Sequence, residues 1–177
     1  MNFCASLPGG QVFLAKTLSA ADSQLGFPKK VTNETSMKKV IFEETIYTYH
    51  IDFVGHVNNI NYITWMENGR VKLLETAGIP VTEVASKEGI LPILSETHIC
   101  YKKPLFLQNR VTIEVWVSHI YNASMIMEFR FYNEERELCA TAHQKGLFVD
   151  SNTMKPVRLK PEHREAFEKF LSSTKQP

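Results

Sequence analysis

The chain is poor in the features that mark several large protein classes. Its three cysteines, Cys4, Cys100 and Cys139, are odd in number and widely spaced, with no C-x-x-C pair. That usage argues against a disulfide framework, offers no zinc site, and fits free thiols in a reducing compartment. An excess of one charge is lacking too: 20 Lys plus Arg stand against 19 Asp plus Glu. There is thus no broad electrostatic footprint for nucleic acid or an anionic membrane. No apolar run approaches the ~20 residues that span a bilayer, and no basic head followed by an apolar stretch opens the N-terminus. A Gly-rich phosphate loop, H-E-x-x-H and G-x-S-x-G are all missing, so nucleotide-loop, metalloprotease and serine-hydrolase readings have no residues to stand on. What remains is a chain of 177 residues, the size of one domain with a real core. It is expected to be cytoplasmic, without membrane insertion, and to need no metal or redox cofactor.

Residues 1–36 differ in texture from the rest. Pro8, Gly9, Gly10 and Pro28 mix with Ser, Ala and Thr, and no helix or strand period persists. This segment reads as a poorly structured N-terminal extension, followed by a folded domain over 37–177. Lys16, Lys29 and Lys30 outnumber its acids, which would make the protein organellar if the extension is a transit peptide, although the absence of Arg opposes that. From Lys39 the pattern becomes regular. V-I-F-E-E-T-I-Y-T-Y-H at 40–50 is rich in β-branched and aromatic residues and predicts a strand. Asn59 to about Ala77 predicts the one long helix, with Ile60, Ile63, Glu67, Arg70 or Val71, and Leu74 as its buried stripe and Gly78 and Pro80 as stop signals. Strict alternation around 111–117 and 125–131 predicts two strands, with two more at 92–101 and 137–149. A short C-terminal helix over 161–171 completes an α+β order of strand, helix and four strands. One helix covers one sheet face but leaves an edge unprotected, so edge-to-edge pairing with a second copy is the expected remedy.

The segment from Tyr49 to Arg70 carries the chemistry. It reads as a strand ending on a carboxylate, Asp52, then a tight turn, then a helix start whose unpaired backbone N–H groups and positive dipole end suit an oxygen that becomes negative. Asp52 is also a residue type that builds turns and caps helices. Asn58 or Asn59 has the side chain to cap this helix. Glu67 falls inside the expected apolar stripe, where a carboxylate needs a partner. Arg70, three residues on, supplies one, the alternative being that Glu67 faces the substrate pocket.

The strand, the D-x-x-G-H-V-N-N turn, the N-x-x-Y helix start and E-x-x-R resemble the hotdog-fold acyl-thioester hydrolases of the 4-hydroxybenzoyl-CoA thioesterase type. Y-K-K-P-L at 101–105 and V-D-x-x-T-x-K-P at 149–156 extend the resemblance over roughly residues 39–161. The G-H-V-N-N-x-x-Y-x-x-W portion is also similar to plant-type acyl-ACP thioesterases. The resemblance implies a hotdog fold, a long curved antiparallel sheet wrapped around one central helix. It also implies an acyl-CoA thioesterase that forms a homodimer or homotetramer, with acyl-ACP as the alternative carrier. A non-catalytic acyl-CoA-binding module is the alternative from another class.

Carried over position by position, Asp52 is the nucleophile or general base, and the Asn59 backbone amide is the oxyanion donor. His56 matches the histidine of the acyl-ACP enzymes' D-x-N-x-H pattern, but Val54 stands where that pattern has Asn. His56 is therefore either a catalytic partner or a tie for the turn. His50 replaces the first acid of the common D-x-D and either influences Asp52 or points outward. Glu67 is the second catalytic candidate. Gly55, Val57, Asn58, Tyr62, Trp65, Lys102 and Lys103 are candidates for contacting substrate. Tyr62, Trp65, Met125 and Met127 have the character of acyl-tunnel walls or of ordinary core. Lys102, Lys103, Arg110, Lys145 and Arg158 are candidates for carrier phosphates or solvated surface.

Overall fold

The computed structural model describes residues 38–172; the expected N-terminal extension lies outside them. The elements are β1 (Val40–Thr45), α1 (Asn59–Thr76), α2 (Val81–Glu83), β2 (Ile90–Tyr101), β3 (Arg110–Ile120), β4 (Ser124–Tyr132), β5 (Leu138–Asp150) and α3 (Pro161–Glu168). The five strands form one antiparallel sheet in the order β1-β3-β4-β5-β2. Alternation dictates its two faces. Val111, Ile113, Val115 and Val117 of β3 and Met125, Met127, Phe129 and Phe131 of β4 all point into the core. The small Ala140 and Ala142 of β5 lie opposite Phe131 and Phe129 in register, which leaves room for the two rings. Pro92 is tolerated inside β2 because β2 is an edge strand, where a missing N–H costs no ladder bond.

The first strand is shorter than expected. It ends at Thr45, and Thr48–His50 form a single 3-10 turn. Asp52 therefore does not terminate a strand; it sits in a loop pinned by an Ile51–Val57 bridge.

The long helix falls where the sequence put it, but it buries a different face. Tyr62, Trp65, Met66, Gly69, Leu73 and Leu74 are buried, whereas Ile60 and Ile63 are exposed at 65% and 42%. Both stripes have helical spacing; the buried one carries two aromatic rings and a methionine, which remove more apolar area from water than two isoleucines. Gly69 lets α1 approach the sheet closely: a Cβ there would stand 3.0 Å from Phe129 and 3.2 Å from Phe42. Asn58 caps the N-terminus by accepting from the Ile60 amide at 3.0 Å. Gly78, at φ 78°, follows the last turn in the left-handed conformation that ends a helix.

The C-terminal helix is shorter than expected, and Phe167 within it and Phe170 just beyond it join the core. The short helical stretch from Val81 to Glu88 has no clear periodicity and was not legible in the sequence.

Candidate active site

The loop between β1 and α1 is a hydrogen-bonded turn built around Asp52. The Asp52 amide donates to the His56 carbonyl at 2.9 Å, and the Gly55 amide donates to the Asp52 carbonyl at 3.1 Å. Gly55 adopts φ 91° with open space around its Cα, a conformation that glycine adopts without a Cβ clash. Asp52 Oδ1 accepts from the Val54 amide at 2.8 Å, while Oδ2 faces His56 Nδ1 at 3.7 Å. The turn-building use of Asp52 is thus real, and it occupies one carboxylate oxygen only.

Two further ties place this turn. The Asn58 amide and the Asn61 side chain both donate to the His50 carbonyl, at 2.9 and 2.8 Å, which anchors the helix start to the preceding turn. The Val57 amide donates to the Leu105 carbonyl at 2.9 Å, so the 101–105 motif lies against the 52–57 loop. His50 itself packs edge-on against Trp65 and accepts from the Tyr47 amide through Nδ1 at 3.0 Å. Burial lowers its pKa, opposed by the Glu44 charge. Its ring holds the turn together and does not point outward.

These ties enclose a cavity of ≈ 300 Å³ lined by His56, Val57, Asn59, Tyr62 and the run Tyr101 to Leu105. Val57, Tyr62 and Leu105 are buried and form its floor; Asn59, Tyr101, Lys102 and Lys103 are exposed at its rim. Lys103 pairs with Glu137 at 2.6 Å, which raises the lysine's pKa and lowers the carboxylate's. Burial pushes the Tyr101 phenol up, and the Tyr62 phenol much further.

Several sequence candidates lie elsewhere. Asp52, Gly55 and Asn58 do not line the cavity; Gly55 shapes the turn and Asn58 caps the helix. Trp65, Met125 and Met127 are core residues. Glu67 forms the ion pair with Arg70. Arg70 in turn donates to buried Gln144 at 3.1 Å, and Gln144 donates to Thr97 at 3.3 Å. That network was missed: Gln144 sits at an inward position of β5, where a polar residue needs partners. Arg110, Lys145 and Arg158 are not at the cavity. In the 149–156 motif, Asp150 accepts from the Asn152 and Thr153 amides and the Thr153 hydroxyl, so this motif is a structural turn. Among the described residues no group of three or more His, Cys, Asp or Glu side chains is arranged to hold a metal. No helix among them is long and apolar enough to cross a membrane.

The model of the thioesterase-like superfamily matches residues 46–167. The chain belongs to the thioesterase-like superfamily. It is 29% identical over 121 residues, 67% of its length and 87% of the relative's, to a Bacillus subtilis protein provisionally named acyl-CoA thioesterase YneP. It is 28% identical over 170 residues, 94% of its length and 83% of the relative's, to the chloroplastic acyl-acyl carrier protein thioesterase ATL3 of Arabidopsis thaliana. Among solved structures, the DHNA-CoA thioesterase of Staphylococcus aureus superposes with a TM-score of 0.69 at 26% identity, covering 74% of this chain and 89% of that one. The α+β hotdog fold and the thioester-hydrolase chemistry implied by the sequence motif both hold for this superfamily member.

Proposed function

We propose that the protein hydrolyses an acyl-CoA thioester to the free acid and CoA at the cavity beside Asp52. The observation that carries this reading is that His56, which faces the free oxygen of Asp52, lines a cavity together with Asn59 at the N-terminus of an 18-residue helix, a cavity whose floor is buried and whose rim is basic. The Asn59 backbone N–H, at the first helical position where an amide has no intrahelical acceptor, is the donor for the oxyanion that develops on the thioester carbonyl. Asp52 acts through Oδ2. As nucleophile it gives a mixed anhydride that water cleaves; as general base it takes a proton from the attacking water. His56, facing that oxygen, orients it. Glu67 is bound to Arg70 outside the cavity and serves as an ion-pair member in this reading. Lys102 at the rim is the better placed lysine for a carrier phosphate, because Lys103 is engaged by Glu137.

The long edge strand β2 and the exposed Ile60, Ile63 and Phe53 support pairing with a second copy, which would close the site from outside. Light scattering at working concentration should return at least twice the chain mass; a monomer mass contradicts this part of the reading.

The test of function is thiol release by the purified chain from matched acyl-CoA and acyl-ACP substrates. Release from acyl-CoA at the higher kcat/KM supports the reading. A clear preference for acyl-ACP transfers it to the other carrier. Stoichiometric acyl-CoA binding without release identifies a binding module instead.

A further inference from the structure

Two cavities share one wall. The cavity at the start of α1 and a second one of ≈ 320 Å³ both have Lys103 and Pro104 among their lining residues. Asn133, Glu135 and Glu137 line the second cavity and not the first. Lys103 is therefore a cation common to both. Its main chain is fixed, because the Lys102 and Lys103 amides both donate to the Cys139 carbonyl, at 2.8 and 3.1 Å. The ammonium stands at the end of a flexible four-carbon stem, so its partner decides which cavity it serves.

That partner is Glu137. Lys103 Nζ donates to Glu137 Oε1 at 2.6 Å. Glu137 is itself held by Asn133: Oε2 accepts from Asn133 Nδ2 at 3.0 Å, and the Glu137 amide donates to Asn133 Oδ1 at 2.8 Å. A carboxylate fixed in this way loses little side-chain freedom on pairing. The hydrogen bond between lysine and glutamate holds the ammonium's pKa up and the carboxyl's down, so both carry charge at neutral pH. The pair is half-exposed, at 50% and 46%. It therefore biases the ammonium toward the second cavity without locking it there.

Resting on the thioesterase reading above, we propose that Glu137 is a positioning residue that holds the Lys103 ammonium away from the first cavity and so weakens the attraction of that cavity's rim for an anionic carrier. Lys102 then meets the carrier's negative groups without help from Lys103. Removing the carboxylate's charge while keeping the side chain's shape reverses this. In Glu137→Gln the amide oxygen still accepts from Asn133 Nδ2, which turns the amide N–H groups toward Lys103, donor against donor. The ammonium is released, and the rim gains a second cation for a phosphate group. An ion pair of this exposure is worth up to about fivefold in an equilibrium, which sets the size of the gain.

The test measures thiol release by the full chain from an acyl-CoA and from the same acyl group on N-acetylcysteamine, which carries no phosphate. At low ionic strength Glu137→Gln should lower KM for acyl-CoA by about three- to fivefold and leave KM for the uncharged thioester unchanged. The gain should vanish near about 1 M salt. A merely structural role would move both thioesters together. Adding Lys103→Met to Glu137→Gln should abolish the gain. Glu135→Gln removes the same charge from the same cavity without touching the Lys103 pair, and should give a clearly smaller gain. An acyl-CoA KM that is unchanged or raised in Glu137→Gln, a gain that survives in the double variant, or an equal gain in Glu135→Gln overturns the proposal. If no thioester releases thiol, the thioesterase reading fails by itself. Titration calorimetry with CoA then decides, Glu137→Gln being expected to bind it about three- to fivefold more tightly than wild type; equal binding, weaker binding or none overturns the proposal.

Discussion

Asp52 and His56 face each other across one turn of the β1–α1 loop, with Oδ2 and Nδ1 3.7 Å apart. The other carboxylate oxygen is already taken by the Val54 amide. The aspartate therefore keeps one oxygen clear of the turn's backbone, and the side chain facing it is an imidazole beyond ordinary hydrogen-bond length. In an unliganded site such a contact is expected to tighten when substrate binds.

His56→Gln should accordingly lower kcat by about tenfold while changing KM little, since in the proposed reaction it acts on the Asp52 carboxylate rather than on substrate affinity. Steady-state kinetics on the best thioester decide this. A kcat equal to wild type would make His56 a turn residue only.

Gly69 is where α1 meets the sheet. Gly69→Val places methyl groups against the Phe129 and Phe42 rings, where even a Cβ stands 3.0 and 3.2 Å away. Overpacking of this kind costs about 1–3 kcal/mol, and thermal or urea unfolding should show it as a lower midpoint. An unchanged midpoint would mean that the helix can lift off the rings at no cost.

Acid stability should depend on Glu88, which joins the turn before β2 to α3. Lys160 stands 2.7 Å and His163 3.3 Å from its carboxylate oxygens. The lysine foremost, then the histidine, holds the carboxyl below its ordinary value of 4.5 against the opposing effect of burial. A carboxylate depressed in the folded state adds stability above its unfolded pKa and loses it as pH falls through the lower folded value. Lys160→Met should therefore cost about 0.5 kcal/mol at neutral pH, the scale of a half-exposed ion pair, and nothing in acid well below the usual carboxylate range. Urea unfolding of both proteins at the two pH values tests the sign. A deficit that persists in acid would point to lost packing rather than charge.

Much of this was legible in the sequence, for identifiable reasons. Strands β3 and β4 alternate strictly because one face is core, and α1 announces itself through Asn58 and Gly78 at its ends. The D-x-x-G-H-V-N-N turn was readable because each residue answers a local need: Asp52 accepts an amide, Gly55 takes a positive φ, Asn58 caps. The helix face was misread because Ile60, Ile63 and Leu74 repeat at the same spacing as Tyr62, Trp65, Met66 and Leu73, and periodicity alone does not say which stripe meets the sheet. Glu67 looked buried for that reason, whereas its helix face is exposed. The cavity was invisible as a unit, since it depends on the Val57–Leu105 contact between segments nearly fifty residues apart. The β1 end was misplaced because Tyr47 and Tyr49 have strand propensity, but the His50 ring, bound to the Tyr47 amide, closes a turn there.

Thiol release by Asp52→Asn, measured beside wild type on the same thioester, tests the central claim most directly. The substitution keeps the side chain's shape and its Val54 contact but removes the negative charge and basicity of Oδ2. A loss of kcat of roughly a hundredfold or more, with the fold intact by circular dichroism, is the predicted result. Turnover by Asp52→Asn at the wild-type rate would contradict it.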